Sequence, residues 1–382
     1  MRSFLLSIVR KLVKPCILFE SKPAFSDNSK AVFDELVRRG YDRKYHLIWF
    51  VDEHQAAIFH RGKTILFDPR KRRTIFEKIR NYVFFYHIKC TICSNSFLDF
   101  QEDDSKEDKK QYLRFYLSHG IPIKSVKEYY TVRGRADYLL SPSQSMNALM
   151  ATEFGISEEN VFATGFARND VFSLPPIELN AILKSPFKKV IIWYPTYRQN
   201  KNGTIDTGGD SLPLIHDERF AELLNDTARE CNVLLIVKPH FMQDVSKIHK
   251  LQLDHIRLID DSFFEKNDLT SYQMLAASDA LITDYSSVYY DYTLRDRPIC
   301  VIWEDVDSYR KFPGFAVNLE TMLTGAEKVY TIEELCEFVR RVANGVDRVR
   351  NERRVIRDLV HYSTDGRNAE RSADYIVRMA RL

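Results

Sequence analysis

A series of short apolar runs, each closed by polar residues, constrains the fold of this chain more than any other feature of the sequence. Ile17-Leu18-Phe19 ends at Glu20-Ser21, and His46 to Val51, Thr64 to Phe67 and Cys90 to Cys93 follow. Tyr112 to Leu117 then delivers Ser118-His119-Gly120. Runs this short and this apolar suit strands buried on both faces, as in a parallel sheet. Between them, Ala31 to Arg39 reads as a helix that Asp27-Asn28 can cap and Gly40 stops, and Ile75 to Phe85 reads as another. Residues 101 to 110 are nearly all charged or polar and read as a loop. Alternating strands and helices predict a doubly wound α/β sheet.

A second series starts near Lys188. Val190 to Tyr194 ends at Pro195-Thr196, Val233 to Val237 at Lys238-Pro239-His240, and Ala280 to Thr283 at Asp284-Tyr285-Ser286-Ser287; Ile299 to Trp303 is a fourth strand. The stretch between the two series carries Pro175, Pro176 and Pro186 and suits an interdomain linker. With 382 residues the chain is too long for one ordinary core. The expected organisation is an N-terminal helix over residues 1–14, a Rossmann-like domain over 15–175, a nucleotide-binding Rossmann-like domain over 186–366, and a C-terminal helix over 367–382 that can return to the first domain. Two such halves facing across a cleft make a GT-B-like α/β architecture.

Composition narrows the function classes. Hydrophobic residues make up 45% and charged residues 29%, as in a folded globular protein, and no repeat is visible. Net charge is only +3, but basic residues gather at Arg2, Arg10, Lys11 and Lys14 and from Arg340 to Arg357. They read either as solvated helix faces or as attraction to anionic lipid or a polyanionic substrate. No nucleic-acid recognition module accompanies them. Cys90 and Cys93 form one C-x-x-C pair, but no second pair completes a zinc site, so with Phe97 they read as core of a buried strand in a reducing, cytoplasmic setting. Phe4, Leu5, Ile8, Val9 and Leu12 share a helical face too short to cross a bilayer. That face suits either a membrane interface or packing on its own domain.

Four strand ends carry the chemistry: Ser118-His119-Gly120, Pro195-Thr196-Tyr197-Arg198, Lys238-Pro239-His240 and Asp284-Tyr285-Ser286-Ser287. Ligands of open α/β sheets bind at such ends. Val288 to Leu294 reads as a helix, which puts Ser286 and Ser287 at its N-terminus, where free N–H groups and the dipole favour an anion such as pyrophosphate. The plainer reading is that Ser286 only caps that helix.

The stretch Ser278-Asp-Ala-Leu-Ile-Thr-Asp-Tyr-Ser-Ser-Val288, followed by Asp291, Arg297-Pro298, Asp305 and Tyr309, resembles the CDP-glycerol glycerophosphotransferases, the teichoic acid polymerases and related polyol-phosphate transferases. Phe19-Glu20-Ser21 with Asp27-Asn28 is similar to that family's opening strand and loop. Ser118-His119-Gly120 with Pro122 and Lys124, Gly165-Phe-Ala-Arg168-Asn-Asp170 after Ala136-Asp137-Tyr138, and Tyr194-Pro195-Thr196-Tyr197-Arg198 resemble further family elements in order, over roughly residues 17 to 376. Ile121 stands where the family usually has Thr, Ala167 where it has Pro, and Phe312-Pro313-Gly314-Phe315 lacks a frequent Arg.

The resemblance implies a transferase in which a hydroxyl of a cell-surface polymer or lipid-linked primer attacks the β-phosphate of a CDP-polyol and expels CMP. It implies His119 as general base, its unperturbed pKa near ~6.5 suiting cellular pH. It implies His240 as the second catalytic histidine, at the pyrophosphate. Thr196, Arg198, Lys238, Asp284, Ser286 and Ser287 would hold the donor, and Lys124 and Arg168 the acceptor or a phosphate. Arg168 reads equally as the partner of Asp170 in an ion pair. No cofactor and no metal are expected. The expected partners are the CDP-linked donor, a lipid-linked or polymeric acceptor and the inner face of the cell membrane, with no nucleic acid; the expected location is cytoplasmic and peripheral to that membrane. A GT-B glycosyltransferase using a nucleotide sugar is the alternative.

Overall fold

The computed structural model describes residues 14–51, 65–67, 74, 87–95, 112–127, 135–184, 186–196, 212–239, 251 and 253–382. The N-terminal helix, the helix Ile75 to Phe85, the loop 101 to 110, Phe97, Arg198 and His240 therefore lie outside the described residues or almost wholly so. The described residues form two compact units. One holds those up to His119, Lys127–Asp170 and His361–Leu382; the other holds Gly120–Val126 and those within Val171–Val360. The sequence reading ends its first domain at 175 and starts its second at 186; contacts divide the chain at Asp170, and they group Gly120–Val126 with the second unit. The reason is backbone pairing: Ser125 N–H donates to Gly314 O at 3.0 Å and Ala316 N–H to Ile123 O at 2.9 Å.

The first unit is built on seven parallel strands: β1 Cys16–Glu20, β2 His46–Phe50, β3 Ile65–Phe67, β4 Ile88–Cys93, β5 Leu113–Tyr116, β6 Tyr138–Ser141 and β7 Val161–Ala163. Their spatial order is β3-β2-β1-β4-β5-β6-β7. The second unit has β8 Lys189–Tyr194, β9 Val233–Val237, β10 Ile256–Leu258, β11 Ala280–Thr283, β12 Ile299–Ile302 and β13 Glu327–Val329, ordered β10-β9-β8-β11-β12-β13. All pairings are parallel in both sheets, so each is doubly wound, with a switch point beside its first strand. The expected GT-B-like class of two Rossmann-like α/β units is present.

Strands β6, β7, β10 and β13 are absent from the sequence reading. Three of them, β7, β10 and β13, are sheet edges, where half-exposed side chains break the apolar run. Ile256-Arg-Leu258 and Glu327-Lys-Val329 show the effect.

Helix α1 spans Asp27–Arg38 and starts a turn earlier than Ala31. Neither Asp27 nor Asn28 occupies the cap position: Asp27 Oδ1 accepts the adjacent Asn28 N–H at 2.7 Å and pairs with Arg168, and the Asn28 carboxamide binds partners described below. The cap position is Ser26, whose hydroxyl donates to Pro23 O instead. In the second unit, α2 spans Glu218–Glu230, α3 Val288–Tyr292, α4 Ile332–Ala343 and α5 Arg350–Val360. Thr331 caps α4, and Leu335, Phe338, Val339 and Val342 give it one buried face. That face joins the core formed by β8, β9, β11 and β12.

Helix α6, Asn368–Ala380, belongs to the first unit. Ala373, Tyr375 and Ile376 join the core around Phe19, Trp49 and Phe115, and Arg39 of that unit pairs with Asp374. The start of α6 is fixed by Asp170, whose carboxylate accepts the Asn368 and Ala369 N–H groups at 2.8 Å each. Beside it Gly165, at φ 80°, has no space for a Cβ, which would run into the Asn368 side chain. Gly165→Ala should therefore cost about 1–3 kcal/mol of stability through overpacking, with left-handed strain added. A urea midpoint equal to wild type would show that the start of α6 moves aside freely.

Candidate active site

In the second unit the switch point lies between β8 and β11. Residues just past the carboxyl ends of these two strands are tied directly: Thr196 N–H donates to both Asp284 carboxylate oxygens, at 3.0 and 2.9 Å. Asp284 is fully buried, and Thr283 adds a bond from its hydroxyl to Tyr194 O at 2.8 Å. Burial of the Tyr194 phenol pushes its pKa up, so it stays a neutral donor, reaching Ser271 O at 3.4 Å.

Helix α3 is shorter than the expected Val288 to Leu294. It gives way at Thr293 to a single 3₁₀ turn, Thr293–Arg295, where tighter winding bonds Asp296 N–H to Thr293 O. Ser287 occupies the cap position without a side-chain bond, while Ser286 contributes only its carbonyl, to Tyr289 N–H at 3.1 Å. Neither hydroxyl caps the helix, which removes the plainer reading of Ser286. Both serines are half-buried beside the switch point.

The buried Tyr285 ring packs in an aromatic group with Tyr309 at 4.9 Å, Phe315 at 5.3 Å and buried Trp303 at 6.1 Å between ring centroids. Lys124 reaches this group. Its backbone bridges to Phe315, and its ammonium lies 5.5 Å from the Tyr309 ring centroid, within cation–π range. The structure thus brings Lys124 to the Asp-Tyr-Ser-Ser segment, a relation that sequence spacing does not reveal. Lys238, past β9, ion-pairs with Asp261 at 3.1 Å.

In the first unit, His119 is half-buried in the turn after β5, between Ser118 at φ 56° and Gly120 at φ 143°. Asn28 packs under that turn: its Nδ2 donates to Ser118 O at 2.9 Å and Leu117 O at 3.3 Å, and its Oδ1 accepts Arg168 N–H at 3.0 Å. Arg168 is buried and its guanidinium pairs with Asp27 at 2.7 Å. The ion pair expected with Asp170 is replaced, because Asp170 caps α6. Burial raises the Asp170 pKa, and the two N–H donors from α6 oppose that rise. Asp27 and Asn28 are the members of this group to which sequence reasoning assigned no contact with His119 or Arg168. Their only signal was their place in the loop after β1.

Cys90 and Cys93 are both fully buried in β4, and burial pushes the Cys90 thiol up, consistent with core packing. Among the described residues no group of three His, Cys, Asp or Glu side chains is arranged to hold a metal ion.

A family profile described as CDP-Glycerol:Poly(glycerophosphate) glycerophosphotransferase matches residues 3–378. The chain belongs to that family. It is 25% identical over 357 residues to a teichoic acid poly(glycerol phosphate) polymerase of Bacillus spizizenii, covering 86% of this chain and 84% of that one. It is 27% identical over 254 residues to a protein of the same name from Staphylococcus epidermidis, covering 59% of this chain but 33% of that longer relative. In fold it is similar to the wall teichoic acid polymerase TagF, with TM-score 0.69 at 20% identity over 100% of this chain and 93% of that one. In this glycerophosphotransferase family member, Ser118-His119-Gly120 lies beyond the carboxyl end of β5 and Asp284-Tyr285-Ser286-Ser287 beyond that of β11.

Asp284→Ala removes the buried acceptor of Thr196 N–H. A loss of about 1–3 kcal/mol is expected in urea unfolding. Unchanged stability would show that this bond does not support the switch point.

Proposed function

We propose that this chain transfers glycerol phosphate, or a related polyol phosphate, from a CDP-linked donor to a hydroxyl of a cell-surface polymer or lipid-linked primer. The observation that carries the reading is the family match over residues 3–378, supported by the polar groups gathered at the β8/β11 switch point. In this scheme the acceptor hydroxyl attacks the donor's β-phosphorus, a new P–O bond forms, and the bond to the bridging oxygen of CMP breaks. The hydroxyl proton passes to neutral His119. Phosphoryl transfer of this kind depends mostly on positioning and charge stabilisation.

His240 and Arg198 take the donor's pyrophosphate in the proposal, and Ser286 and Ser287 offer hydroxyls to the same phosphates. Lys238 is paired with Asp261 and takes the donor's phosphate in the proposal by exchanging that carboxylate for it. Asp284 acts by holding the backbone at Thr196. Arg168 acts on substrate only indirectly, since its guanidinium is engaged with Asp27. Lys124, beside Tyr309, is the cation assigned to acceptor or phosphate.

The enzyme is proposed to work in the cytoplasm at the inner face of the membrane, where a lipid-linked acceptor is found. Among the described residues no helix is long and apolar enough to cross a bilayer. The chain's first fourteen residues, with Arg2, Arg10, Lys11 and Lys14, are the segment suited to surface attraction, since the arginines of α5 pair with Asp296, Asp347 and Asp358.

The test is CMP release from CDP-glycerol and, in parallel, CDP-ribitol, with detergent-solubilised membrane lipid as acceptor. Wild type should release CMP only with acceptor present. His119→Ala should lower kcat by roughly 10²- to 10⁴-fold, the worth of general-base assistance. His240→Ala should also fall sharply. Acceptor-dependent turnover of a nucleotide sugar instead of either CDP-polyol would sink the proposal.

A further inference from the structure

The turn that carries His119 adopts a conformation it would not hold unaided. Ser118 sits at φ 56°, a region L side chains seldom occupy, and Gly120 follows at φ 143°. Such turns persist only when their surroundings over-determine them. Among the described residues, one contact that holds this turn is the Asn28 side chain. Asn28, 1% exposed at the start of α1, directs both N–H bonds of its carboxamide at the carbonyls of Leu117 and Ser118, the two residues before His119. Its oxygen accepts the backbone N–H of Arg168. Only a carboxamide offers two donors and an acceptor in this arrangement, so the amide orientation follows from its partners.

The same clamp is anchored from behind. Asp27, Asn28's neighbour, holds the Arg168 guanidinium, and Asp170, two residues beyond Arg168, holds the start of α6. The His119 turn, the Arg168 loop and the C-terminal helix of the first unit are thus joined through adjacent residues.

We infer that Asn28 is a positioning residue for His119: it fixes the backbone on which the imidazole is presented, and so sets the direction from which the base meets the acceptor hydroxyl. The inference rests on the proposed role of His119 as general base. Misplacement by about 1 Å can cost ~10²-fold in rate. The expected signature of losing the clamp is therefore a kcat effect, with donor binding preserved because the donor groups lie elsewhere.

The experiment uses the full chain and five forms: wild type, Asn28→Ala, Asn28→Asp, His119→Ala and the double variant Asn28→Ala/His119→Ala. Asn28→Asp keeps size and oxygen but loses both donors, and it carries the test if Asn28→Ala does not fold. CMP release from CDP-glycerol should show kcat lowered ~10²-fold in each Asn28 variant, with KM for CDP-glycerol unchanged. In the His119→Ala background, Asn28→Ala should cost nothing further, since residues acting as one unit are not additive. An equal drop in both backgrounds, or wild-type kcat in the Asn28 variants, overturns the clamp.

Imidazole NMR signals of His119, identified by their absence in His119→Ala, supply a readout independent of turnover. They should shift in Asn28→Asp, and unchanged signals overturn the inference even where kcat falls. Shifted signals in an enzyme whose wild-type form releases no CMP would uphold the clamp and bring down the transfer reading instead.

Discussion

A parallel sheet covered on both faces leaves no place for polar side chains along its central strands, because each would lose water without gaining a hydrogen bond. Every residue of strands β1, β9, β11 and β12 is at most 1% exposed, and the polar side chains in them, Glu20 and Thr283, are each the last residue of their strand. Polar chemistry is thereby displaced to the residues just beyond the strands. Connections run right-handed from these ends into helices, so backbone N–H groups and short polar side chains collect there. The Asp-Tyr-Ser-Ser segment after β11 and the Ser-His-Gly turn after β5 are two outcomes of the same restriction.

Displacement to the strand ends creates a second demand, since a turn outside the ladder has no regular hydrogen bonds to hold it. The two units meet this demand with different groups. At β8 and β11, the fully buried Asp284 carboxylate binds the Thr196 N–H and ties one strand end to the next. At β5, the Asn28 carboxamide binds carbonyls and so stabilises a left-handed turn. A carboxylate suits an N–H group and a carboxamide suits carbonyls, because only the latter has donors. The exchange of partners at Asp170 follows from the same logic: α6 presents unsatisfied N–H groups at its start, which leaves Arg168 to Asp27.

Much of this was legible in the amino-acid order. The central strands announced themselves as apolar runs, and β9 and β11 match their expected limits to the residue. The edge strands β10 and β13 did not, because charged residues at Arg257, Glu327 and Lys328 interrupt the run where one face meets solvent. Asp27 and Asn28 looked like helix caps, since Asp and Asn favour that position through local bonding. Apart from the Asn28 N–H that Asp27 accepts, their partners lie 89 to 141 residues away, at Leu117, Ser118 and Arg168, beyond the reach of any local pattern. Lys124 and Tyr309 illustrate the same point, being brought together by a backbone bridge to Phe315.

The fold class, the strand ends where chemistry gathers, and the family follow from amino-acid order alone, because apolar period and motif order are properties read along one dimension. Which polar group answers which was settled by packing: Asn28 beneath His119, Asp27 on Arg168, Asp170 on α6, Asp284 on Thr196. A buried polar atom must find a partner wherever the packed chain supplies one, and that choice depends on what lies nearby in space and not on what lies nearby in the chain.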